Sequence, residues 1–468
     1  MAGSDGLRSG LKQRQMTMIA IGGVIGAGLF VGSGKAIGSA GPGVLLAYAG
    51  VGVLVVLVMR MLAEMAVAKP ETGSFSSYAT RELGPWAGLA VGWLYAYQWC
   101  ITVGFESIAG AAIVHSALPA IPSWLAALVV IVLLIGVNLA RVKSFGEFEF
   151  WFALIKVVAI VGFILLGLAA LFGLVPGFRS PGVSNLVGQG GFLPHGPSAV
   201  VLAALVVFFS FFGTEVVTIA AGEATDPVHA VRRGMNSVVW RILVFYLGSI
   251  LIVVALLPWN DTHVTESPYV AVLSRLGVPG AAGIMDVVVL TAVLSCLNSG
   301  IYSSSRMLYA MARRGEAPRV LARTNAGGVP VWSVLAASSA GLLTVVANYF
   351  LPTTTVFDFL LDSSGAVAVV VYLAITVTQL RGRARLSTED PGSLTLKMWA
   401  YPYLTILVGL VLLGIIAGMA FDSGSRRSLA LTLLVTAVAI VAGIAWQRRH
   451  RSSPDIVAET VVTTGETQ

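Results

Sequence analysis

Apolar residues along this chain fall in long unbroken runs separated by short polar stretches, with neither the period-two alternation of strands nor a one-sided helical stripe. A hydrocarbon core about 30 Å thick takes roughly 20 residues of helix to cross. Runs of that length lie near 17–38, 43–67, 87–116, 123–142, 147–173, 196–223, 237–258, 282–312, 331–350, 355–380, 402–421 and 426–447. The pattern predicts an all-α polytopic membrane protein of about twelve transmembrane helices. A transmembrane β-barrel would need polar and apolar positions to alternate, which these runs do not do.

Two runs are interrupted near their centres. In the first, AIGGVIGAGLF places Gly22, Gly23, Gly26 and Gly28 where Leu, Ile and Val would normally build the helix. In the sixth, VVFFSFFGTEVVTIAAGE is broken by Ser210, Gly213, Thr214 and Glu215. Gly22 and Gly26 alone would satisfy a small-xxx-small contact between helices. Paired interruptions at matching places in two halves instead mark discontinuous helices around a binding site. Backbone groups freed at half depth are tolerated only where they line a cavity or bind a ligand. Freed N–H groups suit a carboxylate and freed carbonyls suit an ammonium, so two crossed breaks fit both ends of an amino acid. The expected organisation is a segment 1–16, a first five-helix repeat 17–173, a second repeat 174–380, helices eleven and twelve in 381–450, and a polar, disordered tail 451–468.

Composition supports this reading. Hydrophobic residues make up 57% of the 468 and charged residues 11%, with mean hydropathy +0.88, which excludes a soluble domain with a mixed-charge surface. The first residues, MAGSDGLRSGLKQRQ, lack the apolar core and cleavage site of a signal peptide. Cys100 and Cys296 both fall inside runs and form neither a disulfide framework nor a metal motif. The net charge of +7 raises the question of a nucleic-acid partner, but its distribution answers otherwise. With the N-terminus placed inside, only Lys35, Arg179, Arg275, Arg426 and Arg427 lie outside; Lys156 lies within a run, and every other Lys and Arg lies at the inner face. That is the positive-inside asymmetry, and it puts both termini in the cytoplasm.

Lys156, in EFWFALIKVVAIVGF, stands about nine residues into the fifth helix, near 13 Å from its start. One reading is a side chain snorkelling to the nearer headgroups. The preferred reading is an amine turned into the bundle, able to load and release a proton. Glu106 in the third helix and Glu215 in the sixth are candidates for function by their depth, whereas Glu64 and Asp286 read as structural acceptors. His115, His195, His229, His263 and His450 fall in loops, helix ends or the tail, which argues against a membrane protease or metalloenzyme. No metal or cofactor is expected.

The stretches IGGVIGAGLFVGSG, AGPGVLLAY, RMLAEMAVAKPETGSFSSYA, GEFEFWFALIKVVAI, FSFFGTEVVTIAAGEATDP, SCLNSGIYSSSRMLYAMARRGEAP and LDSSGAVAVVVYL resemble the amino acid–polyamine–organocation superfamily, amino acid transporter family, over residues 11–450. RMLAEMAVAKPETGSF and SCLNSGIYSSSRMLY are most similar to its γ-aminobutyrate permease branch. The resemblance implies ten core helices in an inverted repeat plus two, and proton-coupled uptake of an amino acid by alternating access. It implies that a substrate carboxylate meets N–H groups around Gly26, Ala27 and Gly28, with Gly23 alongside. The amine would meet carbonyls near Val24, Phe209 and Phe212, with Ser210 and Gly213 at the sixth-helix break and Glu106 close by. Lys156 matches the lysine that replaces a sodium ion in proton-coupled relatives, facing Asn298 and Ser299, and Glu215 joins the proton-coupling set. Most relatives carry Thr or Ser at the position of Ala27. The implied partners are a small amino acid, a proton and the lipid bilayer of the cell membrane, with no nucleic acid; the sequence sets no oligomeric state. The alternatives are a permease or exchanger for another neutral amino acid (proline, alanine, glycine, serine or an aromatic) and a non-transporting sensor on the same fold.

Overall fold

The computed structural model describes residues 11–22, 25–140 and 142–450. The polar tail 451–468, most of the N-terminal segment, and Gly23 and Val24 lie outside the described residues. Among the described residues the chain is a bundle of helices, and its extended pairing is confined to one isolated bridge between Leu11 and Ala224.

Among the described residues, ten helices are long and apolar enough to cross a membrane. One of these stretches, Ala27–Ala68, counts 42 residues, which as a straight helix would run about 63 Å, twice a bilayer core. It is instead cut at Gly41-Pro42-Gly43, where Gly41 has φ +61°, so it holds two spans. The shorter apolar helix Ser123–Leu139 supplies one more, and the twelve predicted runs are thereby all accounted for. Helix starts follow local chemistry: Pro85 and Pro227 occupy first-turn positions, and Asp226 accepts from the backbone N–H of His229 at 3.0 Å.

The observed helices overrun the apolar windows at the end where the charges gather. The seventh begins at Pro227 rather than near 237, and passes through a π-helical stretch, Ile242–Gly248, before ending at Leu256. The tenth continues to Glu389, where Arg383 meets Glu64 and Arg385 meets Glu82, each at 2.7 Å. Hydropathy windows close where charge begins, but the helical ladder continues as long as neighbouring helices or water satisfy the side chains. In consequence Lys156 is not the sole cation of the spans. Arg241 and Arg306, assigned above to the inner surface, lie within the seventh and eighth spans and are both 1% exposed.

Lipid-facing and core-facing stripes are clearest on the fifth helix, Val142–Leu171. Trp151, Ile155, Val158 and Leu165 are exposed, while Glu149, Ala153, Lys156, Ile160 and Phe163 are buried at helical spacing. An exposed apolar stripe of that length has a stable environment only in lipid. The third helix, Pro85–Ala117, is the central post: the eighth, ninth, tenth and twelfth spans all pack on it.

Candidate substrate and proton site

Both predicted discontinuities are present. The first helix runs from Gln13 to Gly22, passes through an extended Gly26 (φ −126°, ψ −156°), and resumes at Ala27. The sixth runs from Gly196 to Phe211, turns at an extended Phe212 and at Gly213 with φ +96°, and resumes at Val216. A positive φ of that size is the conformation glycine supplies without steric cost. Ser210 Oγ donates to the Gly28 carbonyl at 2.8 Å and ties the two breaks together.

Each break is satisfied differently. At the first, both oxygens of Glu106, from the third helix, accept from the Ala27 backbone N–H at 3.1 Å. Lys156 Nζ donates to the Ile25 carbonyl at 3.0 Å and to Ser295 Oγ at 2.8 Å. Lys156 is fully buried, so it does not snorkel. At the sixth-helix break, Glu215 accepts from the Gly213 N–H at 3.1 and 3.2 Å and from Tyr372 at 3.4 Å. Thr214 Oγ1 donates to the Phe211 carbonyl at 2.6 Å and accepts from Arg241 at 2.9 Å.

Between the breaks lies a narrow cavity of about 10 Å³, room for roughly one water. Its walls include the expected Gly26, Gly28, Glu106, Phe209, Ser210 and Phe212, together with Thr102 and Cys296, which the sequence reading had not assigned. Phe209 packs edge-on against Phe105 at 4.7 Å, and Phe212 lies tilted against Trp99 at 5.4 Å, closing the cavity with aromatic surface. Ala27 contributes its N–H. Gly213 shapes the turn, and Glu215 belongs to the cluster with Tyr372 and Gly213 rather than to the group around Lys156. Asn298 stands in the Lys156 group, with Ser299 buried beside it in sequence.

Glu149 is a further residue the sequence reading missed. It is fully buried, accepts from Ser295 Oγ, and accepts from Asn298 Nδ2 at 3.4 Å. Asn298 Oδ1 in turn accepts from Asn138 of the fourth helix at 2.9 Å. The available signal was the interval of seven residues to Lys156, two helical turns on one face.

Beneath this group the bundle is closed. Glu223 accepts from Arg306 at 2.8 Å and from Tyr302 at 3.0 Å, and its carbonyl accepts from the Leu11 N–H at 3.3 Å. Phe145 stacks on Tyr302 with ring centroids 4.0 Å apart.

Two broken helices enclosing a small cavity with a few polar groups, in a bundle with a lipid-facing apolar exterior, fit a polytopic membrane transporter. Among solved structures, Mhp1, a nucleobase-cation-symport-1 family transporter in a closed conformation with bromovinylhydantoin bound, shares the fold: TM-score 0.54 over 97% of each chain, at 15% identity. The model of the amino acid permease family matches residues 15–454, and the chain belongs to that family. It is 52% identical to the γ-aminobutyric acid permease of Bacillus subtilis (strain 168), over 96% of this chain and 95% of that one. It is also 52% identical to the γ-aminobutyric acid permease of Escherichia coli (strain K12), over 86% of each.

Proposed function

We propose that this amino acid permease imports a small zwitterionic amino acid, γ-aminobutyrate first, together with a proton across the cell membrane by alternating access. In this reading both termini are cytoplasmic, and segments 17–173 and 174–380 act as the two repeats that rock about the site. The observation that carries it is the Lys156 ammonium donating to the Ile25 carbonyl inside the first-helix break, at 3.0 Å. A cation at that place fastens the unwound segment to the fifth and eighth helices, and its proton decides whether the fastening holds.

The substrate is read from the same geometry. Its carboxylate takes the Ala27 N–H by displacing Glu106, and the released Glu106 carboxylate receives the substrate ammonium. Both ends are thus paired in a water-poor cavity, which offsets the cost of removing them from solvent. The described walls of the cavity, Glu106 and Ser210 along with Thr102, Cys296, the phenylalanines and the two glycines, hold no cation to receive an acidic side chain, so glutamate and aspartate are excluded. The names of the relatives favour γ-aminobutyrate over an α-amino acid.

The test is uptake of a panel of radiolabelled amino acids into proteoliposomes, with and without an inward proton gradient. γ-Aminobutyrate is expected to accumulate only with the gradient, with short neutral amino acids next. Competition by glutamate or aspartate equal to that of γ-aminobutyrate would refute the assignment.

A further inference from the structure

The fifth helix carries two buried charged side chains on one stripe, and the coupling scheme above uses only one of them. Glu149 and Lys156 are both fully buried, and both hydrogen-bond the same atom, Ser295 Oγ of the eighth helix. From its partners' roles, Ser295 accepts from the ammonium and donates to the carboxylate. Glu149 lies seven residues nearer the start of the helix, two residues from Glu147, which pairs with the exposed Arg14.

We infer that Ser295 and Glu149 form the inner half of the proton path, receiving the proton from Lys156 and delivering it to the cytoplasm. This rests on the proton-coupled reading above. In the transfer, a Lys156 Nζ–H bond breaks as Ser295 Oγ takes the proton, and the Ser295 O–H bond breaks as a Glu149 oxygen takes that hydrogen. An ammonium–carboxylate pair becomes an amine and a carboxylic acid. The sum of the two charges is zero before and after, so no unpaired charge is left buried, which would be the costly state.

The surroundings suit a relay that is gated at one end. Lys156 is faced by Glu106 from the third helix, Cys296 from the eighth and Arg241 from the seventh. Glu149 is faced by Asn298 and Ser299 besides Ser295 and Lys156. Toward the inner surface the path is sealed by the Phe145–Tyr302 stack and by Leu11 and Gln15, whose side chains lie within 2.8 Å of where a Cβ on Gly146 would stand. Opening of this seal wets Glu149 before Lys156. The carboxylic acid then loses its proton to water, and a solvated carboxylate replaces the buried pair.

The experiment uses the full-length protein in proteoliposomes carrying Glu149→Gln, Ser295→Ala or Ser295→Thr. Two quantities are read: counterflow of radiolabelled γ-aminobutyrate at equal pH, and accumulation driven by an inward proton gradient. Glu149→Gln keeps the shape and an acceptor for Ser295 Oγ, gives up the acceptor for Asn298 Nδ2 and cannot ionise, so a merely structural role would move both readouts together or leave both intact. We expect counterflow within about threefold of wild type and accumulation reduced at least about tenfold for Glu149→Gln and Ser295→Ala, with Ser295→Thr restoring most of it. Accumulation by Glu149→Gln with the wild-type dependence on external pH would overturn the relay while leaving Lys156 as the coupling site. Loss of counterflow together with accumulation would make Glu149 a packing residue and would equally overturn it. Should the wild type exchange substrate yet show no gradient-driven accumulation, the coupling reading itself fails, and the relay fails with it.

Discussion

The two helix breaks look alike in sequence and differ in how they are held. The sixth-helix break is largely self-sufficient: Glu215 folds back on the Gly213 N–H, Thr214 on the Phe211 carbonyl, and Thr218 on the Glu215 carbonyl at 2.7 Å. The first-helix break is held from outside, by Glu106 of the third helix and Lys156 of the fifth. A turn that satisfies its own backbone keeps its shape when its neighbours move. A turn satisfied by ionisable groups on other helices changes state when those groups gain or lose a proton or a ligand. Under the proposed function, the first break is the responsive element and the sixth the fixed wall against which it works.

Substitutions at three positions test this contrast, in decreasing order of effect. Gly26→Leu strikes the responsive break directly. Even a Cβ at that position would overlap a Glu106 oxygen and lie 2.9 Å from Cys296 Cβ. Uptake is expected to fall at least about a hundredfold while the protein still inserts in the membrane. Wild-type uptake by stably inserted Gly26→Leu would remove this stretch from the site.

Glu106→Gln should have the next largest effect. The amide still accepts from the Ala27 N–H but no longer offers a charge to the substrate ammonium. A charge-assisted hydrogen bond contributes about 1.5–3 kcal/mol, so half-saturation for γ-aminobutyrate should rise roughly ten- to a hundredfold. An unchanged concentration dependence of initial uptake would mean that Glu106 never meets the substrate.

Glu215→Gln should matter least, because Gln retains an acceptor for the Gly213 N–H. Transport is expected within about threefold of wild type, and Glu215→Ala should lower stability by about 1–2 kcal/mol through the orphaned N–H. Thermal unfolding in detergent and initial uptake rates separate the two effects. If Glu215→Gln abolished gradient-driven accumulation alone, the sixth break would share in coupling and the asymmetry would be lost.

Much of this was legible in the sequence for a physical reason. Glycines in an apolar run conflict with helix formation in lipid, and a lysine in mid-run conflicts with burial; each conflict marks a place where something compensates. Gly26, Gly28, Gly213 and Lys156 were found that way. Glu149 was not, because GEFEF sits at the edge of its run, where a charge is ordinary. Its burial shows only when the helix is divided into the stripe that faces lipid and the stripe through Ala153 and Lys156 that does not. Arg241 and Arg306 were placed at the inner surface because hydropathy records where apolar residues end and is blind to a neighbouring helix that covers a charge. That Glu106 would reach the Ala27 N–H depends on a side-chain rotamer between helices 79 residues apart in sequence, which no local pattern encodes.

The central claim is that the proton on Lys156 governs the first-helix break. It is tested most directly by recording internal pH and labelled substrate together in proteoliposomes when γ-aminobutyrate is added outside. Wild type should acidify the interior as substrate enters. Lys156→Ala should exchange labelled γ-aminobutyrate without acidification. Lys156→Arg should behave the same way, because a guanidinium does not deprotonate in this range. Acidification by Lys156→Arg at the wild-type ratio of protons to substrate would contradict the account and leave Lys156 a structural cation.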